Sequence, residues 1–242
     1  AEAESLWIAE EILKLREEGI PFQDICILYR AHYVTRTLEE ALLKAKIPYS
    51  IYSGVQFFGR AEIKDALSYL RMIAYQDDLS FLRIANVPKR NLGERRMKFL
   101  KDYANERGCS LYQALEQTVE DQIFRGTKAK QFLALVRDYA SNYSQRQISE
   151  LLSSLLNDSG YEEMLRTEGS QERLDNLAEL KQSIYEYETS CGEESLLEHY
   201  LSHVALFSNS DAGGGTEKVK LMTVHSAKGL EFPCVFLCGM NE

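Results

Sequence analysis

Short apolar runs of the kind that form buried strands lie near both ends of this 242-residue chain and constrain its fold most strongly. Residues 25–29 read Ile-Cys-Ile-Leu-Tyr, and residues 219–224 and 234–238 are similar runs. Continuous apolar runs are typical of strands buried on both faces of a parallel sheet. Two consecutive domains would not need the strand pattern to return. The pattern therefore predicts one α/β domain that a second domain interrupts.

The first apolar run belongs to a predicted β-α-β unit. A helical pattern over residues 35–46 follows it, and Pro48 ends that helix before a second strand at 49–52. Such a unit implies parallel strands joined by a right-handed crossover. Further helical patterns flank the unit, at residues 4–18 and 60–75.

The middle of the chain shows helical periodicity and no strand signal. The predicted helical segments are 94–107, 110–118, 127–143, 147–157, 171–188 and 193–207. The predicted fold class is therefore α/β plus all-α. The predicted domain boundaries are an α/β first segment at 1–76, an inserted helical domain at 77–207, a Ser- and Gly-rich flexible linker at 208–217, and a returning α/β segment at 218–242.

The composition indicates where the protein is located more clearly than what it does. No stretch approaches the roughly 18 consecutive apolar residues of a membrane helix, and the acidic N-terminus lacks the basic region of a signal peptide. Five scattered cysteines without a C-x-x-C pair argue against a disulfide framework or a metal site. We expect a cytoplasmic protein without a membrane partner. The chain lacks an initiator Met and stops just after an apolar run, so we also expect a piece of a longer protein.

Charge is distributed unevenly along the chain. The formal net charge of −9 argues against a nonspecific nucleic-acid binder, because phosphate contacts need Lys and Arg. Residues 83–107, however, carry eight basic and three acidic side chains, whereas residues 108–215 carry eight basic and eighteen acidic ones. The segment at 83–107 is therefore the candidate for contact with nucleic acid.

Arg30 directly follows the first predicted strand. It should lie at the strand's carboxyl edge, where open α/β sheets bind ligands. A cation there suits a phosphate, and Tyr29 beside it suits stacking on a base. On position alone, a solvated arginine at a strand end is the more common arrangement.

A polar turn between the last two predicted strands holds the densest group of candidate ligand-binding residues. Thr223, His225 and Ser226 can donate to phosphate oxygens, and Glu231 can accept from a ribose hydroxyl. For His225 taken alone, a locally satisfied structural histidine is the ordinary role. The sequence contains no G-x-x-x-x-G-K-[ST] phosphate loop and no strand-end D-E pair, so we do not expect the chain alone to hydrolyse ATP.

Taken together, these residues resemble the UvrD/Rep/PcrA family of superfamily 1 DNA helicases. Tyr29-Arg30 matches motif IV, and T-V-H-S-A-K-G-L-E-F-P at 223–233 matches motif V almost letter for letter. The segments L-x-E-x-L-L-x-x-x-I-P-Y at 38–49 and F-F-x-R-x-E-I-K-D-x-L-x-Y-L-R at 57–71 also match, and the order is that of the family. The resemblance extends from about residue 4 to residue 242.

The resemblance implies the second RecA-like motor domain, with a partial parallel sheet, interrupted by the helical domain called 2B. It implies ATP and Mg²⁺ as ligands of the full-length enzyme and none for the isolated chain, which lacks the Walker motifs and the motif VI arginine. The expected partners are single-stranded DNA, a duplex junction and the first RecA-like domain of the same protein. Repair or replication proteins are further expected partners.

Individual roles follow from the same resemblance. Tyr29 resembles the residue that stacks on adenine, and Arg30 the catalytic arginine that reaches the γ-phosphate. Glu231 resembles the residue that touches the ribose. The DNA-side contacts fall on motif V, at Thr223 and His225 and, with them, Ser226. We expect Glu231 and Arg30 to share one nucleotide-facing rim of the sheet.

The turn V-P-K-R-N-L-G at 87–93 lies where the family has V-P-x-R-G-I-G, a helix-hairpin-helix turn that presents backbone N–H groups to duplex phosphates. We expect duplex contacts there from Lys89, Arg90, Asn91 and Gly93. Asn91 replaces a glycine of the pattern, and asparagine tolerates the left-handed conformation better than most residues. A solvated basic helix start remains the alternative.

Two other functions stay open at the level of sequence. The chain could be a DNA- or protein-binding regulatory module without chemistry, which its acidic helical segment suggests, although such a segment is usually a solvated face. The related helicase-nuclease family, in which a nuclease domain follows similar motor motifs, is the second alternative.

Overall fold

The computed structural model describes residues 1–191, 195–208 and 217–240. The chain forms two compact units, one made of Ala1–Arg60 with His203–Glu242 and the other of Ala61–Ser202. The first carries a parallel sheet and the second is helical, which confirms the predicted fold class. Most of the predicted linker at 208–217 lies outside the described residues.

The sheet of the first unit consists of β1 (Ile25–Tyr29), β2 (Tyr49–Ile51), β3 (Val219–Thr223) and β4 (Cys234–Leu237). All three strand pairings are parallel, in the order β2-β3-β1-β4. The prediction that the second apolar region rejoins the sheet begun by the first is therefore confirmed. β1 and β2 are not neighbours in the sheet, because β3 lies between them and pairs with both.

Two helices, α1 (Glu2–Glu17) and α2 (Thr35–Lys44), pack on one face of this sheet. Their apolar positions recur at helical spacing, and the alternate strand residues that face them complete a common core. The fully buried members include Ile12, Ile25, Ile27, Leu38 and Leu221. Burial of this core fixes where β1 and β3 lie along their strand direction. It therefore also fixes the position of the residues that follow these two strands.

The helices of the second unit are α3 (Ala61–Tyr75), α4 (Asp78–Ile84), α5 (Glu94–Arg107), α6 (Leu111–Thr118), α7 (Ala129–Ala140), α8 (Ile148–Asp158), α9 (Tyr161–Thr167), α10 (Gln171–Cys191) and α11 (Leu197–Ser208), with the unit boundary inside α11. Within the described ranges, no helix combines the length and apolar content that crossing a membrane requires.

The helical unit begins at Ala61, whereas the sequence placed the start of the helical domain at residue 77. The physical reason is the packing of α3, which contacts α4, α7, α8 and α10 and buries Ile63, Ala66, Leu70 and Ile73 among them. An amphipathic pattern predicts a helix but not which neighbours its apolar side will meet. The identification of this unit as an inserted 2B domain stays a prediction.

Candidate functional site

The carboxyl ends of the parallel strands bring two predicted site residues to one edge of the sheet. Thr223, the last residue of β3, pairs with Tyr29, the last residue of β1. The Val224 N–H donates to the Tyr29 carbonyl at 2.9 Å and so extends the pairing by one step. Arg30 follows at once and is exposed, with no hydrogen bond or ion pair described for its guanidinium. Its charge is thus available to a ligand at this edge.

The motif V turn that follows β3 is held by its own side chains. The Thr223 hydroxyl lies 2.9 Å from the Ser226 hydroxyl and accepts from the Ser226 N–H at 3.2 Å. Gly229 has φ +82°, a conformation that glycine adopts without strain. His225 is exposed beside this turn. Thr223 and Ser226 therefore shape the turn, and His225 is displayed on its surface.

Tyr29 is not where a base-stacking residue should be. Its side chain is 1% exposed and belongs to the core between the sheet and the helices. The hydroxyl lies 3.4 Å from His32 Nδ1, and the two rings meet edge to face. Burial raises the pKa of the Tyr29 hydroxyl far above its usual range. A ring without an exposed face cannot stack on adenine, so this placement argues against the predicted role.

Glu231 lies on the segment that leads from the motif V turn to β4. β4 begins at Cys234, which pairs with Ile25 at the opposite end of β1. Three residues span at most about 10 Å, whereas Arg30 lies about 16 Å beyond Ile25 along the strand direction. Glu231 therefore lies on the segment that returns between the two edges, with its backbone at least about 6 Å short of Arg30 along the strand direction, and a rim shared by the two side chains stays a prediction. A contact of Glu231 with the ribose stays a prediction.

A cluster of buried polar side chains around Glu39 and Arg60 contacts the segment that follows Arg30. The sequence did not predict this cluster. The Glu39 carboxylate, which is 5% exposed, accepts from the Thr35 hydroxyl at 2.7 Å, from the Phe57 N–H at 3.1 Å and from the Tyr49 hydroxyl at 3.3 Å. Arg60, which is also buried, donates to the His32 carbonyl at 2.9 Å and to the Thr35 hydroxyl at 2.8 Å. These bonds tie α2, β2 and the segment after Arg30 together.

Burial dominates the electrostatics of this cluster. It raises the pKa of Glu39 to about 7, although the Thr35 hydroxyl, the Phe57 N–H and the Arg60 charge all favour the ionised form. The one signal in the sequence was an acidic residue among the apolar positions of the helix at 35–46. Charged residues are rarely buried unless partnered, and the partners become known only from the fold.

The turn between α4 and α5 contains one left-handed residue and is closed by one side chain. Asn91 has φ +60°, in the left-handed region, as its replacement of a glycine predicted. The Asn86 side chain accepts from the Arg90 and Leu92 N–H groups at 2.8 and 3.0 Å and so closes the turn. Leu92 is buried, and α5 begins after Gly93 without a side-chain cap.

Arg90, predicted to contact duplex phosphates, is a structural residue instead. It is 5% exposed, and its guanidinium donates to the Ile84 carbonyl and the Tyr69 hydroxyl, each at 2.8 Å. Longer bonds reach the carbonyls of Ala85, Pro88 and Ser159, and the guanidinium lies 4.9 Å from the Phe132 ring centroid. With its donors engaged inside the unit, Arg90 cannot serve a phosphate on the surface.

Lys89 and the start of α5 remain available at this turn. Lys89 and Gly93 are exposed, and no hydrogen bond or ion pair is described for the Lys89 ammonium. The first N–H groups of an uncapped helix lack intrahelical partners, and the helix dipole favours an anion there. The arrangement suits a phosphate, although exposed Glu94 in the first turn opposes one.

The motif V turn on a parallel sheet and the hairpin turn on a separate helical unit define a helicase-type motor segment. The whole chain, residues 1–242, matches the UvrD-like helicase C-terminal domain, and the chain belongs to that family.

Among curated proteins, the chain is similar to the ATP-dependent DNA helicase PcrA of Staphylococcus aureus strain Mu50, with 39% identity over 249 residues. It is similar to the same degree to the PcrA helicase of Staphylococcus epidermidis. In both cases the match covers 99% of this chain and 34% of the relative, so the chain spans about a third of the length of these relatives.

Proposed function

We propose that this chain forms the second motor half, with its duplex-contacting helical domain, of an ATP-dependent DNA helicase that translocates 3′ to 5′ on one strand. Family membership supports the class of reaction. The observation that carries the proposal is the pairing of β1 with β3, which joins Arg30 and the motif V turn at one edge of the sheet.

Arg30 is the residue to which we assign chemistry. It would stabilise the charge that develops on the γ-phosphoryl group, from across a cleft closed by the first motor domain. In arginine-finger systems such a charge is worth roughly 10³–10⁵ in rate. The Walker motifs of the first motor domain would hold Mg²⁺ and the remaining phosphates. Tyr29 would act only through its carbonyl and its packing, and Glu231 would bind the ribose.

Motif V would carry the contact with single-stranded DNA. His225 is displayed on the turn and can donate to a phosphate oxygen. The Thr223 and Ser226 hydroxyls are half-buried and hydrogen-bonded to each other. Each can bind a phosphate if a bond to the phosphate replaces this mutual bond. Because this turn is hydrogen-bonded to the end of β1, which Arg30 directly follows, it can respond to nucleotide at that edge.

The helical unit would bind the duplex ahead of the junction. The exposed Lys89 ammonium and the free N–H groups beyond Asn91 and Gly93 would meet phosphates of one strand. These contacts are independent of sequence, as a translocating enzyme requires. Arg90 would support the turn from inside the unit.

The test is Arg30→Ala in the protein with both motor domains present. DNA-stimulated ATP hydrolysis should fall by at least about 10³-fold, while the affinity for single-stranded DNA should change little, because we assign Arg30 to the nucleotide and not to the DNA strand. Hydrolysis is measured under saturating ATP, and DNA affinity by fluorescence anisotropy.

Arg16→Ala is the matched control. It removes the same charge from the same unit at an exposed ion pair with Glu217, 3.1 Å long, on the surface of α1. It should leave hydrolysis unchanged. Normal hydrolysis by Arg30→Ala, or an equal loss in both variants, would remove Arg30 from the mechanism.

A further inference from the structure

A second loop, residues 122–128, docks beside the 87–93 turn of the helical unit. The Lys128 N–H donates to the Arg90 carbonyl at 3.1 Å, and the Asn91 side-chain amide donates to the Gly126 carbonyl at 3.3 Å. The Arg96 guanidinium bridges the two segments, because it donates to the Ile123 carbonyl at 2.6 Å and to the Asn91 carbonyl at 2.9 Å. The two loops thus form one surface.

Packing and hydrogen bonds within this second loop hold its backbone in place. Phe124 is buried and packs edge to face on Phe99 of α5, with ring centroids 5.9 Å apart. The Thr127 hydroxyl donates to the Phe124 carbonyl at 2.7 Å, and Gly126 takes φ +75°, which closes the turn. The side chains between these anchors therefore project from a fixed backbone.

Two cations on the loop lie next to the proposed duplex-binding turn. Arg125 and Lys128 are exposed, and no ion pair or hydrogen bond is described for either charged group. The neighbouring cations of α7 differ: Lys130 pairs with Glu120 at 2.8 Å, and Arg137 with Glu116 at 2.7 Å. Unlike these two α7 cations, Arg125 and Lys128 have no acidic partner among the described contacts and lie on the loop that docks beside Lys89.

We propose that Arg125 and Lys128 form a second phosphate-binding element, which contacts the duplex backbone alongside Lys89 and the start of α5. This rests on the proposed function. Three acidic side chains, Asp138, Asp158 and Glu163, line the groove between the turn and α7 together with Lys89 and Lys128. These carboxylates would repel phosphates from the interior of the groove, so we expect the DNA strand to contact the exposed ends of Lys89, Arg125 and Lys128 instead.

The choice of duplex DNA over an acidic protein follows from the spread of the donors. Backbone phosphates recur at regular intervals, and a site that reads them needs separate cations on a fixed frame rather than one pocket. Two direct hydrogen bonds between the loops and the bridge through Arg96 of α5 provide that frame. An arginine and lysines on its rim provide the charges.

The test is the salt dependence of duplex binding by the full-length protein that carries Arg125→Ala with Lys128→Ala. Loss of two phosphate contacts should reduce the slope of log K against log salt by nearly two, about 1.8. The ratio of wild-type to variant affinity for duplex DNA should then shrink about tenfold between 50 and 200 mM salt. The double variant Lys130→Ala with Arg137→Ala removes the same net charge from paired positions and should keep the wild-type slope.

Three measurements separate this inference from the proposed function. Single-strand binding and DNA-stimulated hydrolysis should be unchanged in both double variants. If wild-type protein hydrolyses ATP and Lys89→Ala lowers the duplex slope by about one while the Arg125/Lys128 variant does not change it, the second element is refuted and the motor assignment stands. Equal slopes in the two double variants would also refute it, since the slope would then follow net charge alone.

Discussion

Arg90→Ala tests whether this arginine holds the helical unit together or contacts DNA. The substitution removes the donor of two short hydrogen bonds inside the unit, to the Ile84 carbonyl and the Tyr69 hydroxyl. It also removes the stacking of the guanidinium on Phe132. The backbone carbonyls that lose their donor lie at the end of α4, in the turn at Pro88 and at Ser159 between α8 and α9.

The magnitude follows from these contacts. Hydrogen bonds to a charged group contribute about 1.5–3 kcal/mol each, so the two short ones sum to about 3–6 kcal/mol. Removing the arginine also removes the cost of burying its charge, which reduces the net loss. We expect a loss of about 3 kcal/mol in the free energy of unfolding, which lies within the range for breaking a buried charged contact.

Urea unfolding of the chain, followed by far-UV circular dichroism, measures this loss. With a slope of about 2 kcal/mol per molar, the midpoint should fall by about 1.5 M. Arg90→Lys should recover part of the loss, because an ammonium cannot match the planar fork. Lys89→Ala, a change at an exposed neighbour, should stay within about 0.5 kcal/mol of wild type. An Arg90→Ala protein as stable as wild type, with a reduced salt slope for duplex binding, would refute the structural role.

Two further substitutions test the buried cluster and the left-handed turn. Glu39 has its pKa raised from 4.5 to about 7 in the folded protein, so its stabilising effect is complete below pH 4.5 and is lost as the pH rises to about 7. The shift corresponds to about 3 kcal/mol. Glu39→Gln should remove that component from urea midpoints measured between pH 4.5 and 8, and identical pH profiles for the two proteins would contradict the assignment. At Asn91, alanine should be about 1 kcal/mol less stable than glycine, because both lose the amide and only alanine resists positive φ. Equal stabilities of Asn91→Ala and Asn91→Gly would contradict the strained backbone.

Local signals in the sequence predicted the elements whose boundaries are set locally. The run at 25–29 became β1 and the segment at 94–107 became α5 with the same limits, because a glycine flanks each end of that helix. The short helices α4 and α9 were not predicted, since seven residues give little periodicity. For α4 a signal existed, because Asp77 caps it by accepting from the Ser80 N–H at 2.9 Å.

What the sequence could not provide were contacts between distant positions. A charge count places Arg90 with the solvent-exposed cations, but its partners Tyr69 and Ser159 lie 21 and 69 residues away. Conversely, Arg125 and Lys128 fall inside a segment that is acidic in sum, and only docking of their loop brings them to the 87–93 turn. Tyr29 was predicted from its motif to stack on adenine, but its ring is buried in the core. In each case tertiary packing decides whether a polar or aromatic side chain faces solvent.

Arg30 and the motif V turn are separated by almost two hundred residues in sequence and by one hydrogen bond in space. The Val224 N–H donates to the Tyr29 carbonyl, and the residues on either side of that bond are Thr223 and Arg30. Burial of the Tyr29 ring makes this junction stiff, because any displacement of Arg30 must either move the ring within a packed core or pass to the β3 end. We therefore expect a change at the proposed γ-phosphate contact to reach the proposed DNA contact through this single backbone hydrogen bond.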